Sequence, residues 1–294
     1  MTAWGSRLAP VSNWLAALPG SDRLAESLLG VASERKTPTF ASESFEDWFE
    51  ARGPRVDGAD RRVLLVPDPY TNYVEPEIGK AAVEVLEAAG VRVAVPDVTA
   101  SGRAAFSKGF LDVARERVDA NVAELGPRVA EGWDVVVLEP SDATMYQSDA
   151  LDVGAEGPVE RVAANTYGFA EYLDRVDLVD DLDVAPEGTL TYHGHCHQTA
   201  IGRDHHAVAV FRRAGFEVDA LDSGCCGMAG SFGYEAEHYS MSQAIGRILF
   251  DQVDGSPGDR AVAPGASCRT QLRDREAAGP VDHPATVIAS ALSN

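Results

Sequence analysis

Two stretches of this chain repeat one another, and that duplication limits the fold more than any other feature. Ala88-Ala89-Gly90 and Arg213-Ala214-Gly215 each close a helical run before a strand-like run, and the strands end in Asp97 and Asp222, both at an offset of 125 residues. Around these landmarks the pattern alternates. In the first half Val63-Leu64-Leu65-Val66, Val91-Arg92-Val93-Ala94-Val95 and Val135-Val136-Val137-Leu138 are short runs with strand composition. Leu190-Thr191-Tyr192, the run from Phe216 to Leu221, and Ala261-Val262-Ala263 play that part in the second half. Helical stretches separate them, from Glu75 to Gly90 with Pro76 in the first turn, from about Ser107 to Ala130, from about Thr199 to Ala214 and from about Glu235 to Asp251, with a last helix after His283-Pro284. Strands alternating with helices predict an α/β fold of two pseudo-repeated parallel βαβ units. In such sheets the loops that do chemistry lie at the carboxyl ends of the strands.

The expected boundaries are an N-terminal extension over 1–58, a first repeat over 59–148, a linker with a helix over 149–187 and a second repeat over 188–294. The extension carries Trp14, Phe40, Phe45, Trp48 and Phe49, which would dock on another surface or pack on the chain's own domain. The linker begins with an acidic, glycine-bearing stretch and leads into a helical stretch around Val162 to Val179.

All four cysteines, Cys196, Cys225, Cys226 and Cys268, fall in the second repeat. The same offset of 125 sets Ala100, Ser101 and Gly102 opposite Cys225, Cys226 and Gly227, and an offset of 126 sets Ser141-Asp142 opposite Ser267-Cys268. Cys196 falls opposite the region of Asp68 to Thr71. The second repeat therefore presents thiols from three strand ends and the first repeat presents none.

Any one of these cysteines would pass for a small buried hydrophobe. The vicinal pair argues otherwise: adjacent cysteines form a strained ring with each other but can both reach one metal or cluster if the backbone turns sharply. Gly224 and Gly227 permit such a turn or let an inorganic group approach the backbone. Four thiolates converging from three loops suit an iron–sulfur cluster or zinc, between which the sequence does not choose. His193, His195 and His197 alternate around Cys196 and would share one side of a strand-like segment. His195 and His197 are the candidates either to ligate or to fix the loop by hydrogen bonds. Tyr234, Glu235 and His238 follow the glycine-rich turn and would line the site or lie on a helix surface.

Charge narrows the partners. With 25 basic and 46 acidic residues the net charge is −21, spread over the whole length, so nucleic acid and anionic membrane surfaces are repelled. The pattern fits a solvated acidic surface suited to a high-salt, halophilic interior. No run of about 18 apolar residues occurs and no charged-then-apolar secretion pattern opens the chain, so a cytoplasmic protein is expected, peripheral to a membrane only through a partner. In a reducing compartment clustered cysteines bind metal or do redox chemistry more often than they form structural disulfides.

Cys196, Gly224-Cys225-Cys226-Gly227 and Ser267-Cys268-Arg269 together resemble the cysteine-rich CCG domain found in the cysteine-rich subunit of heterodisulfide reductase, the glycolate oxidase iron–sulfur subunit, the C subunit of anaerobic glycerol-3-phosphate dehydrogenase and the C-terminal part of FAD-linked D-lactate dehydrogenases. The run from Asp222 to Glu235, Tyr73-Val74-Glu75-Pro76-Glu77-Ile78-Gly79 and Ser107-Lys108-Gly109 are similar to the lactate and glycolate branch, and the resemblance covers about residues 40 to 294. It implies a cofactor held by Cys196, Cys225, Cys226 and Cys268, with His195, His197, Gly224 and Gly227 around them. That cofactor would be an iron–sulfur cluster, of four-iron type including its non-cubane form, or alternatively zinc. It further implies an electron-relay subunit working with a FAD-linked 2-hydroxy-acid dehydrogenase subunit and a ferredoxin-like iron–sulfur protein. The other readings are a thiol–disulfide redox protein and a structural zinc-binding assembly subunit. The chain departs from the family pattern in the cysteine-free first repeat and in having neither a ferredoxin-like cysteine run nor a flavin domain.

Overall fold

Strands β1 (Arg62–Val66), β2 (Arg92–Ala94), β3 (Asp134–Val137) and β4 (Thr166–Gly168) form one sheet in the order β2-β1-β3-β4, and β5 (Thr189–Tyr192), β6 (Glu217–Ala220), β7 (Arg260–Val262) and β8 (Val281–Asp282) form a second in the order β6-β5-β7-β8. Every pairing in both is parallel. The computed structural model describes residues 9, 13, 14, 18, 20–275 and 279–293. Two sheets with one topology bear out the α/β expectation of two repeated βαβ units.

The helices are α1 (Ser21–Leu29), α2 (Phe45–Arg52), α3 (Pro69–Tyr73), α4 (Pro76–Ala88), α5 (Arg103–Ser107), α6 (Leu111–Ala130), α7 (Pro140–Thr144), α8 (Ala150–Val153), α9 (Pro158–Ala164), α10 (Phe169–Arg175), α11 (Cys196–Ala200), α12 (His205–Arg213), α13 (Tyr239–Gly255), α14 (Ala266–Arg273) and α15 (Pro284–Ser290). Each repeat starts a short helix immediately after its first strand, α3 capped by Asp68 and α11 capped by His195, so Pro69 is the counterpart of Cys196. After the third strand α7 begins behind Glu139 and α14 behind Gly265.

Alternation along β1 explains why its sequence reads as an unbroken apolar run. Val63 and Leu65 enter a core shared by both repeats, whereas Leu64 and Val66 enter a second cluster under α6. A strand buried on both faces has no polar positions to spare. The shared core also takes Ile78, Ala82 and Leu86 of α4, Phe211 of α12 and Val287 of α15, so the repeats are fused through their helices. Each such large side chain removed from water contributes roughly 1.5–3 kcal/mol.

Several local expectations are corrected. The helix expected from about Ser107 to Ala130 starts at Leu111, because Gly109, at φ 79°, turns the chain after α5 ends at Ser107. The stretch from Thr199 to Ala214 is split by Gly202 at φ 68°. The region expected to be a linker supplies β4, which pairs Thr166, Tyr167 and Gly168 with Val135, Val136 and Val137 and carries the first sheet past residue 148. Three residues of Thr-Tyr-Gly give no apolar run to read. The expected helix from Glu235 starts only at Tyr239.

The N-terminal extension packs on its own chain. Phe45 and Phe49 are buried in the shared core and Trp48 packs against it, and the Phe45 ring lies so close to Gly79 that a Cβ there would stand 2.5 Å away. Trp14, by contrast, is 62 % exposed. Arg35 reaches the second repeat, donating from Nε to the Gly233 carbonyl at 2.7 Å and from a terminal nitrogen to Ser242 Oγ at 2.9 Å, and pairing with Asp274.

Candidate metal centre

The carboxyl ends of β5, β6 and β7 lead into the loops and helix starts that carry the four cysteines. Cys196 is the first residue of α11, Cys225 and Cys226 stand in the loop after β6, and Cys268 lies in the first turn of α14. None is in a disulfide. Cys226 and Cys268 are buried in an apolar cluster with Met228, Leu249 and Leu272, and Cys196 and Cys225 are exposed. The group is dry on one side and open to solvent on the other.

The sulfurs form a hydrogen-bonded chain running from Cys196 to Cys225, Cys226 and Cys268. Cys196 and Cys226 are the donors, and their pKa values are raised, chiefly by that bonding to Cys225 and then by burial or by Cys268. Cys225 is lowered by hydrogen bonds from Cys196 and Cys226, and Cys268 is lowered well below an ordinary thiol by Cys226. One S–H on Cys226 serves only one neighbour at a time. Backbone N–H groups also face the sulfurs: that of Gly227 lies 3.3 Å from Cys225 Sγ, and those of His197 and Met228 approach Cys196 and Cys226.

The glycine turn works through one glycine. Gly227 sits at φ 93°, and a Cβ there would meet the Ser242 carbonyl oxygen at 2.4 Å. Gly224 is outside the left-handed region, and a Cβ there would meet no atom within 4 Å. Ser242 O also accepts from Gln271 Nε2 at 2.9 Å, so the turn is seated on α13 and tied to the helix that carries Cys268.

The strand ends at Tyr192 and α11 starts at Cys196, so the three histidines do not alternate along one strand; the His195 and His197 rings meet edge-on with centroids 5.2 Å apart. His195 caps that helix, its Nδ1 accepting from His197 N–H at 3.2 Å and its Nε2 lying 3.9 Å from Glu139 of the first repeat. Both ring nitrogens are thus turned to protein, and His195 fixes the loop. His197 is held neutral, its pKa pushed down to about 4 by burial and by His195. His193, given no separate role from the sequence, is the ring against Cys268: it is buried, its Nδ1 bonds Ser223 Oγ at 2.6 Å and its approach helps hold the Cys268 thiolate. Gly265 was also missed, although a Cβ there would strike the His195 ring at 2.4 Å. Its only sequence signal is its place before Ser267-Cys268.

Tyr234 packs against the apolar cluster that holds Cys226 and Cys268, and Tyr234 and Glu235 also bridge the repeats. Tyr234 meets Tyr70 through their hydroxyls at 3.3 Å, and Glu235 pairs with Lys108 and His238. Glu235, Glu237 and His238 also place oxygen and nitrogen atoms within 4.8 Å of one another, on the surface.

The donors fit a thiophilic group. Four sulfurs are gathered, and the buried Nδ1 of His197 has no hydrogen-bond partner beside them.

The cysteine-rich CCG domain model matches residues 190–273, the second repeat with its thiol loops. The C subunit of anaerobic glycerol-3-phosphate dehydrogenase from Escherichia coli K12 is 28 % identical over 291 residues, covering 97 % of this chain and 73 % of that one. D-2-hydroxyglutarate dehydrogenase from the same strain is 29 % identical over 234 residues, 76 % of this chain but 22 % of that one. Lactate utilization protein A from Anoxybacillus flavithermus is 30 % identical over 165 residues, 53 % of this chain and 67 % of that one.

Proposed function

Because the chain belongs to the CCG cysteine-rich domain family, we propose that it is the iron–sulfur electron-relay subunit of a dehydrogenase complex that oxidises a 2-hydroxy acid or a related substrate. The observation that carries this reading is the convergence of Cys196, Cys225, Cys226 and Cys268 at one sheet edge. These four would hold the cluster, and a bound cluster supplies one-electron transfer. Around it the chain's own residues hold charge and exclude water. Backbone N–H groups of His197, Gly227 and Met228 point at sulfur, His193 supports Cys268, and Met228 and Leu249 keep the inner side dry. The exposed Cys196–Cys225 side is the face open to a redox partner. A FAD-linked 2-hydroxy-acid dehydrogenase subunit and a ferredoxin-like iron–sulfur protein are the partners this reading requires. Among the described residues no helix is long and apolar enough to cross a membrane.

The CCG cysteine-rich domain match and the likeness to the glycerol-3-phosphate dehydrogenase C subunit support an iron–sulfur cluster over a single zinc. Anaerobic purification in high salt, followed by absorption and EPR spectroscopy and by iron, sulfide and zinc analysis, tests this. A brown protein with iron and sulfide is expected; a colourless protein with one zinc and no iron overturns the cluster.

One observation favours thiol–disulfide chemistry as a second reading, the exposed Cys225 with its depressed pKa. Rapid alkylation of Cys225 in metal-free protein together with full activity of a metal-free complex would favour it. Protection of Cys225 by a bound cluster that the complex needs for turnover would exclude it.

A further inference from the structure

The first repeat contains a cavity of about 370 Å³ where the second repeat contains its thiols. Its wall includes Pro69, Ala100, Ser101 and Asp142, the residues standing opposite Cys196, Cys225, Cys226 and Cys268. The correspondence extends to contacts, since Ser101 Oγ donates to Asp142 at 2.5 Å where Cys226 bonds Cys268. We propose that this cavity is a binding site for an uncharged small molecule that carries a carbonyl oxygen on an apolar body.

Size and lining support a ligand. Pockets for small molecules begin near 300 Å³ and pair apolar walls with a few converging polar groups. Here Pro69, Ala100, Ala104, Ala105 and Val113 give the apolar wall, and Ser101, Asp142, Tyr70 and Ser267 bring hydroxyl and carboxyl groups.

Charge selects the class. Asp68 spends its oxygens on Thr71 and on the N–H groups of Tyr70 and Thr71, and Glu139 spends its own on Ser141 and the Ala266 N–H. These two carboxylates repel an anion yet have little left for a cation. Arg103 is held by Asp149 and the Ser141 carbonyl, and it lies against Asp142. Arg117 is exposed at the rim. Burial, then the charge of Asp68, pushes the Asp142 carboxyl up to about 7, so a large share of molecules carries a proton there at neutral pH. The Tyr70 phenol is kept neutral, first by burial and then by Tyr234. Ser101 spends its proton on Asp142, whereas the protonated carboxyl, the Tyr70 phenol and the Ser267 hydroxyl are donors suited to a carbonyl oxygen. Ser267 and Ala266 also put this wall on the helix that carries Cys268.

The test uses benzamide, benzoate and benzamidinium, which share a shape and differ in charge. Ligand-observed NMR on the full chain in high salt at pH 7 is expected to show saturable benzamide binding, at least ten-fold tighter than either ion. Ala104→Trp, which fills the cavity from its exposed wall, is expected to abolish it with the absorption spectrum and metal content unchanged. Absence of saturable benzamide binding, tighter binding of either ion, or binding that survives Ala104→Trp overturns the proposal. Metal content reports separately on the electron-relay reading.

Discussion

Nε2 of His195 in the second repeat stands 3.9 Å from a carboxylate oxygen of Glu139 in the first, and the other Glu139 oxygen accepts the Ala266 N–H at 2.9 Å. One acid of the cysteine-free repeat thereby fixes the loop before Cys196 and the start of the helix that presents Cys268. Burial raises the Glu139 pKa and the proximity of His195 opposes that rise. Glu139→Ala is expected to cost about 1–2 kcal/mol through the lost N–H acceptor and to speed loss of bound metal to a chelator. Glu139→Gln, which keeps an acceptor, should recover most of the stability. Urea denaturation and chelator kinetics check both, and equal behaviour of the two variants would contradict the role.

Gly227 and Gly224 flank the same cysteine pair and should respond differently. Gly227→Ala meets both an unfavourable φ of 93° and a 2.4 Å approach to the Ser242 carbonyl, so a loss of more than about 2 kcal/mol is expected. Gly224→Ala should stay within about 0.5 kcal/mol. Thermal denaturation of the two variants decides the matter.

Arg269, the residue after Cys268, is buried and held by Glu75 at 2.7 Å and by the carbonyls of Ala263 and Pro264. Arg269 and Arg273, with its hydrogen bonds, keep the Glu75 carboxylate below its ordinary pKa against the opposing cost of burial. Glu75→Ala leaves a buried guanidinium without its counterion, for which about 3 kcal/mol is expected. Because the pair spans the two repeats, the loss should appear in chemical denaturation as one cooperative transition moved to lower denaturant. An unchanged midpoint would show that the clamp is dispensable.

Asp142 makes stability depend on pH. Its folded pKa of about 7 lies above the unfolded 3.8, so its contribution is fully present below 3.8 and is lost as pH rises through 7. Asp142→Asn removes this loss. The variant should match the parent near pH 4 and exceed it above pH 7 by up to about 4 kcal/mol, the roughly three-unit shift at 1.36 kcal/mol per unit. Denaturant midpoints measured at both pH values check it, and parallel pH profiles would refute it.

The duplication was legible in the sequence because its signals are local. Apolar runs such as Val63–Val66, helix closures at Gly90 and Gly215, and cysteines just beyond strands each follow from backbone chemistry within a few residues. A parallel sheet then brings strand ends to one edge, so the meeting of Cys196, Cys225, Cys226 and Cys268 followed from order alone. What local pattern cannot carry stayed hidden. Strand β4 has too little side-chain signal in Thr-Tyr-Gly and is a strand because β3 offers it hydrogen bonds. The histidine roles depend on where the backbone turns from strand to helix, which sent His193 to Cys268 and His195 to Glu139. By itself the sequence determined a doubled α/β frame with four thiols in one half. Only the tertiary structure decided that the other half braces them and keeps a cavity in their place, because Glu139, Glu75 and Asp142 act on residues far along the chain that packing alone brings within reach.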